Sequence, residues 1–350
     1  VPPPAPLPVL LRPSYAGGPG TALAVRALEA AELGDAAVEA VLRWAVEVGP
    51  TVPLPGEGRT LARWELLATV GAQSLTVARV LEPHLDAAAI LAEAGEHPQD
   101  GSTWGVWAAE GPPPRLEARE VDGSWVLRGR KHWCSLAGEV SDALVTAWVG
   151  QDERRLFRVR LDAPGVTVEP SHWVPAGLRR VVTTSVLVED AEAAPVGEAG
   201  WYLERDGFWW GGIGVAAVWY GGAVGLARTL LAHTRTRTPD QVALVHLGEV
   251  DADLTAARAA LALAAEAVDG DRCTGRDALL LGARTRHVVA SAVERVAQRV
   301  ARAVGPGPLS SDPAHVARVA DLGLYVRQHH AERDAAGLGS LVLDEGGPSW

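Results

Sequence analysis

The 350-residue chain contains no methionine, no asparagine, two isoleucines and a single lysine, Lys131, so that 31 of its 32 basic residues are arginine. The scarce types are those with AT-rich codons. Nucleotide composition is the simplest cause, and arginine in place of lysine carries no message about thermostability here. Cysteine is limited to Cys134 and Cys273, far apart in sequence, which excludes a disulfide framework and any zinc spacing and leads to the expectation of a reducing, cytoplasmic compartment. No long block of one charge sign is present and the net charge is −11. Clusters such as Arg179-Arg180 are too small to neutralise a phosphate backbone, so no nucleic-acid partner is expected. The apolar residues of 1–11 follow no basic segment, and no secretory signal is expected from them. There is no Gly-x-Ser-x-Gly elbow and no Walker loop. Gly212-Ile-Gly214-Val-Ala-Ala217 lacks the preceding strand that a dinucleotide fold requires.

What the chain does have is apolar residues, at 48% of the total, which is enough for a large core. Trp209 to Ala227 carries no charge and approaches the length of a membrane span. Six of those 19 residues are glycine, and Asp206 and Arg228 flank them, so the reading is a buried, closely packed helix rather than a span. Residues 22–95 have helical spacing in Ala22–Val48, Leu61–Gly71 and Leu75–Ala94, interrupted by the Pro/Gly-rich 50–58. From about 101 to 190 short β-type runs take over: Trp104–Ala108, Leu116–Val121, Trp125–Arg128, Ala143–Val149, Leu156–Leu161 and Val181–Val188. Asp122-Gly123 marks a hairpin between two of them. Helices return after 200. Val289, Val293, Val296, Val300 and Val304 form one apolar face, Gly305-Pro-Gly-Pro308 ends that helix, and a last one is expected over Pro313–Ala336 behind the cap candidates Ser310, Ser311 and Asp312. The fold class is α+β with segregated elements: a helical domain over 1–98, a β-domain over 99–198 and a helical bundle over 199–350.

The run Trp125-Val-Leu-Arg-Gly-Arg-Lys-His-Trp-Cys-Ser135, followed by Ala137 and Asp142, resembles the W-x-L-x-G-x-K-x-W-[IV]-[ST] stretch of the acyl-CoA dehydrogenase family. The resemblance covers about 20–340 and implies a three-part fold, with a middle β-barrel or sandwich domain, and an FAD cofactor. It assigns Trp133 to packing on the flavin ring and Ser135 to its N5. A core Trp beside a surface Ser is the plain alternative. Ala109 stands where the family has a flavin-contacting Thr, leaving a backbone contact. Gly111-Pro-Pro-Pro-Arg115 replaces the family's loop that helps hold the acyl-CoA. Gln241-Val-Ala-Leu-Val-His-Leu-Gly-Glu-Val250 resembles the family's Q-x-x-x-x-x-L-A-x-M run, with Gln241 on its Gln. The R-x-x-F-G motif before it is missing, although Arg235 or Arg237 has the chemistry to meet a flavin diphosphate; a solvated Arg pair at a helix end is the other reading.

In the last segment, Asp321 to Asp334, the position of the family's catalytic Glu falls near His329, with Glu332 three residues on. On a continuous helix these two share a face, so that Glu332 orients His329 or is itself the base. No metal site is expected, because adjacent histidines on a helix diverge by about 100°. Three functions remain open: FAD-dependent dehydrogenation of an acyl thioester, with a small-molecule substrate such as an acyl-CoA and an electron-acceptor flavoprotein; a flavin monooxygenase of the same fold; and a degenerate binding or assembly subunit. The resemblance further implies a homodimer or homotetramer.

Overall fold

The structure, a computed structural model, describes residues 7–12, 22–236, 238–270 and 273–344. Four helices come first: α1 (Ala22–Arg26), α2 (Val38–Val48), α3 (Thr60–Gln73) and α4 (Leu75–Glu93). The expected helix over 22–48 is not continuous. A 3-10 segment, Ala27–Ala31, and a turn through Gly34 separate α1 from α2. Ser74 divides α3 from α4 in extended conformation, and its hydroxyl accepts the Val77 N–H as an N-cap.

The middle of the chain forms seven strands: β1 (Trp104–Trp107), β2 (Glu117–Val121), β3 (Ser124–Ser135), β4 (Asp142–Trp148), β5 (Arg154–Arg160), β6 (Val166–Val168) and β7 (Thr183–Val196). Strands pair in the order β4-β2-β3-β7-β5, and β5 returns to β4, so the sheet closes into a barrel, with β1 added along β4 and β6 along β7. Asp122 and Gly123 both take positive φ (52° and 82°), the two-residue turn that matches the twist of a hairpin. Closure leaves few free edges and buries Leu127, Val145 and Phe157, while Leu144 and Leu156 are buried in a second cluster with Ile90 and Leu91 of α4. β6 has only three residues and no readable alternation, so it gave no sequence signal.

The chain then returns to helices: α5 (Trp201–Glu204), α6 (Asp206–Thr234), α7 (Gln241–Asp269), α8 (Gly275–Val304), α9 (Gly307–Ser311), α10 (Pro313–Tyr325) and α11 (Glu332–Asp344). Among the described residues α6 alone is long and apolar enough to cross a membrane, and 61% of its most apolar window is buried in the protein. It is the central helix, packed on α3, α4, α7 and α8. Its glycines explain the closeness. A Cβ on Gly221 would collide with the Ala68 carbonyl of α3, and one on Gly71 of α3 would lie 2.6 Å from the Val218 carbonyl of α6.

The expected helix over 313–336 breaks. α10 ends at Tyr325, a 3-10 turn covers Val326–Gln328, His329 is extended (φ −88°, ψ 120°), and Ala331 takes a left-handed φ of 49° before α11 begins. Asp321 ties α10 inward: its carboxylate accepts from Thr76 Oγ1 of α4 (3.0 Å) and from the Leu178 N–H of the β-domain (2.6 Å). Helix α4, which touches both β1 and α6, therefore runs along the seam between barrel and bundle.

Candidate active site

The site begins at the end of β3. Pairing with β7 slips by one residue between Lys131 and Cys134, a bulge that turns the local side chains. Trp133, in the extra position, takes φ 61° and is 58% exposed. A bulky side chain in this region is rare, and such outliers concentrate at functional sites. Beside it lies a concavity of about 430 Å³ lined by His132, Trp133, His172, Trp173, Thr183 and Ser185 among others. Ser135 Oγ and Thr183 Oγ1 are 3.0 Å apart, and the Ser135 carbonyl accepts from Trp107 Nε1 at 3.2 Å. Exposed aromatic faces beside paired hydroxyls fit a flat, polar-edged heteroaromatic ring.

Arg79 of α4 connects this surface to the bundle. Its Nη2 donates to Ser135 Oγ at 3.5 Å, and its Nη1 lies 3.5 Å from Glu82 Oε2. Glu82 also accepts from the Tyr325 hydroxyl at 3.2 Å. Glu82 and Asp86 line a second cavity, of about 660 Å³, walled by Phe208, Trp209 and Val215 of α6 and closed by α8 and the α10–α11 segment. Gly211 gives Asp86 its space: a Cβ there would stand 2.7 Å from Asp86 Oδ1. Burial pushes the Glu82 carboxyl up to about 7, against the pull of Arg79, which brings it into the range of a general acid or base at neutral pH. Burial likewise raises Asp86, against the attraction of Arg205 and Arg63. The sequence carried a signal for these groups in Arg79, Glu82 and Asp86 at steps of three and four, one charged stripe on an otherwise apolar helix.

His329 does line the cavity, but it is not on a helix and shares no face with Glu332. Its Nδ1 accepts the Ala331 N–H at 3.2 Å, and its Nε2 is fully covered, 3.9 Å from Asp334 Oδ2. Accepting at Nδ1 leaves the proton of the neutral ring on Nε2. Burial lowers the His329 pKa, with Asp334 opposing, so the neutral form prevails at neutral pH and neither nitrogen is open to a substrate proton. Glu332 is exposed at the start of α11. The carboxylate at this corner is Asp334, which takes the His330 N–H at 3.0 Å and His330 Nδ1 at 3.2 Å.

Of the other sequence candidates, Ala109 is exposed beyond β1. Its neighbour Glu110 holds the lone lysine: Lys131 Nζ donates to Glu110 Oε1, Thr146 Oγ1 and the Thr146 carbonyl, each at 2.9 Å. Partial burial pushes the Glu110 carboxyl up, but Lys131, Trp148 and Arg154 outweigh it and hold it below the usual range. Gln241 is exposed as the first residue of α7, behind the Asp240 cap, and lies apart from both cavities. Arg237 lies outside the described residues. Among the described residues no three His, Cys, Asp or Glu side chains are grouped to hold a metal.

No family model and no curated protein matches the chain. Solved structures do. KijD3 in complex with FMN and dTDP-3-amino-2,3,6-trideoxy-4-keto-3-methyl-D-glucose superposes with a TM-score of 0.75 at 20% identity, covering 91% of each chain. Dibenzothiophene monooxygenase TdsC from Paenibacillus sp. A11-2 gives 0.72 at 17%, covering 93% of this chain and 98% of that one. Butyryl-CoA dehydrogenase from Megasphaera elsdenii gives 0.73 at 16%, covering 92% and 98%. The chain has the fold of the acyl-CoA dehydrogenase-type flavoproteins.

Proposed function

We propose that the chain is a flavin-dependent oxidoreductase that oxygenates a polar small molecule. The observation that carries this reading is the ionisable wall of the larger cavity. An alkyl chain laid over Glu82 and Asp86 would strip both carboxylates of their remaining water and offer no donor to either, at a cost of about several kcal/mol for an unpaired one that stays charged. A fatty acyl thioester is therefore a poor occupant. The Gly111–Arg115 segment, which departs from the family's thioester loop, points the same way, as does His329, whose Nδ1 is tied to the Ala331 N–H and whose Nε2 is covered.

Trp133, Trp173, Ser135 and Thr183 fit the flavin ring, and FMN and FAD share that ring. When bound, the flavin supplies electron transfer and, once reduced, the activation of oxygen. The chain's own contribution is positional and acid–base. Trp133 shields the ring from water, Arg79 sets a positive charge between Ser135 and Glu82, and Glu82 takes or gives a proton in the cavity, steadied by Tyr325. We also propose a homodimer in the cytoplasm. Val242, Leu244 and Val245 are exposed along the start of α7, an apolar strip suited to a second copy, and gel filtration with light scattering reads that state directly.

The test of the reaction class is to load the protein with flavin and mix it anaerobically with butyryl-, octanoyl- and palmitoyl-CoA. No bleaching of the flavin band is expected. Rapid bleaching by any of the three would return the chain to acyl-CoA dehydrogenation.

A further inference from the structure

The cavity proposed as the substrate chamber holds one carboxylate that the fold leaves without a partner. Asp86 projects into it from α4, and among the described residues no hydrogen bond or ion pair reaches its oxygens. Arg333 also lines the cavity, from α11, but the cations nearest Asp86 in the fold are engaged elsewhere. Arg63 donates to the Pro53 and Leu85 carbonyls at 3.1 and 2.9 Å. Arg205 is bound to Glu93 at 2.5 Å. Arg286 donates to the carbonyls of Gly212 (2.7 Å) and Gln328 (3.3 Å) and lies over the Trp219 ring. Glu82, one turn away, has both Tyr325 and Arg79. Asp86 is half-buried and its oxygens face the cavity, where a ligand's donors can complete them. Phe208, Trp209 and Val215 form an aromatic and aliphatic wall, the surface that attracts an organic cation and covers its apolar body, while Arg286 and Arg333 line another side.

We propose that the cavity binds an organic amine, its ammonium on Asp86 and its apolar body against Phe208, Trp209 and Val215. The inference rests on reading this cavity as the substrate site, and it names the substrate class. The space at Gly211 is part of it, because a side chain there would press on the oxygen that receives the ammonium.

Three probes of one shape and different charge test this in the flavin-free protein by isothermal titration calorimetry: 2-phenylethylamine, 2-phenylethanol and 3-phenylpropionate. The amine is expected to bind at least about tenfold more tightly than the alcohol or the anion. Asp86→Asn is expected to remove that preference while leaving the alcohol unchanged, and Gly211→Ala to weaken the amine with the carboxylate intact. Far-UV circular dichroism verifies that each variant is folded. Equal affinity for amine and alcohol, tighter binding of the anion, an undiminished preference in Asp86→Asn, or no amine binding at ~10 mM overturns the proposal. The measurement contains no flavin, so an amine site with no flavin affinity would sink the oxidoreductase reading alone, and flavin binding without amine selectivity would sink this one alone.

Discussion

Replacing Glu82 with Gln should make the chain more stable at pH 8 and leave it nearly unchanged at pH 4. Burial, partly offset by Arg79, raises the carboxyl from 4.5 to about 7 in the folded state. The folded chain thus holds this proton more tightly than the unfolded chain does. Between the two values the native state binds more protons, so stability falls as pH rises from 4.5 through 7. At about 1.4 kcal/mol for each pH unit of displacement, the full effect is about 3 kcal/mol. Glutamine keeps an oxygen to accept the Tyr325 hydroxyl and carries no charge, so it mimics the protonated acid. Urea denaturation of both proteins at several values between pH 4 and 8 gives the assay. The intercept at pH 4 absorbs whatever the amide itself costs, and the growth of the difference towards pH 8 is the test. A difference that stays flat with pH, or a variant less stable at pH 8, would refute the argument that Glu82 is a burial-raised acid.

His84 should behave in the opposite sense. Burial drops it from 6.5 to about 4, so the folded state resists protonation and stability is lost as pH falls from 6.5 through 4. His84→Gln should flatten that acid-side loss in the same denaturation series. Gly221→Ala should lower stability by about 1–3 kcal/mol, read as a drop in melting temperature, because its methyl would meet the Ala68 carbonyl and the helix-propensity gain is only about 1 kcal/mol.

Much of the fold was legible because its signals are local. The Asp122-Gly123 turn, the valine stripe of α8 and the uncharged glycine-rich run of α6 are each set by neighbours within a few residues. Trp133 and Ser135 were legible as a motif, although the bulge that exposes Trp133 depends on its pairing with β7, some fifty residues away. The cavity groups were missed for a related reason. Arg79, Glu82 and Asp86 look like a solvated helix face, and what shelters them comes from α6, α8 and the α10–α11 segment, more than a hundred residues distant. His329 and Glu332 were placed on one helix because no Gly or Pro interrupts 326–334. The break there is made by the left-handed Ala331 and by Asp334 receiving the His330 N–H, tertiary choices that periodicity does not reveal.

The central claim is that the Trp133 surface holds a flavin ring, and its most direct test is a titration of the purified protein with FMN and, separately, with FAD. Binding is followed by quenching of flavin fluorescence and by the shape of the band near ~450 nm, with Trp133→Ala measured alongside. Saturable binding of at least one flavin, weakened about tenfold or more by the substitution, is the predicted result. No binding of either flavin in excess, or binding indifferent to Trp133, would contradict the account.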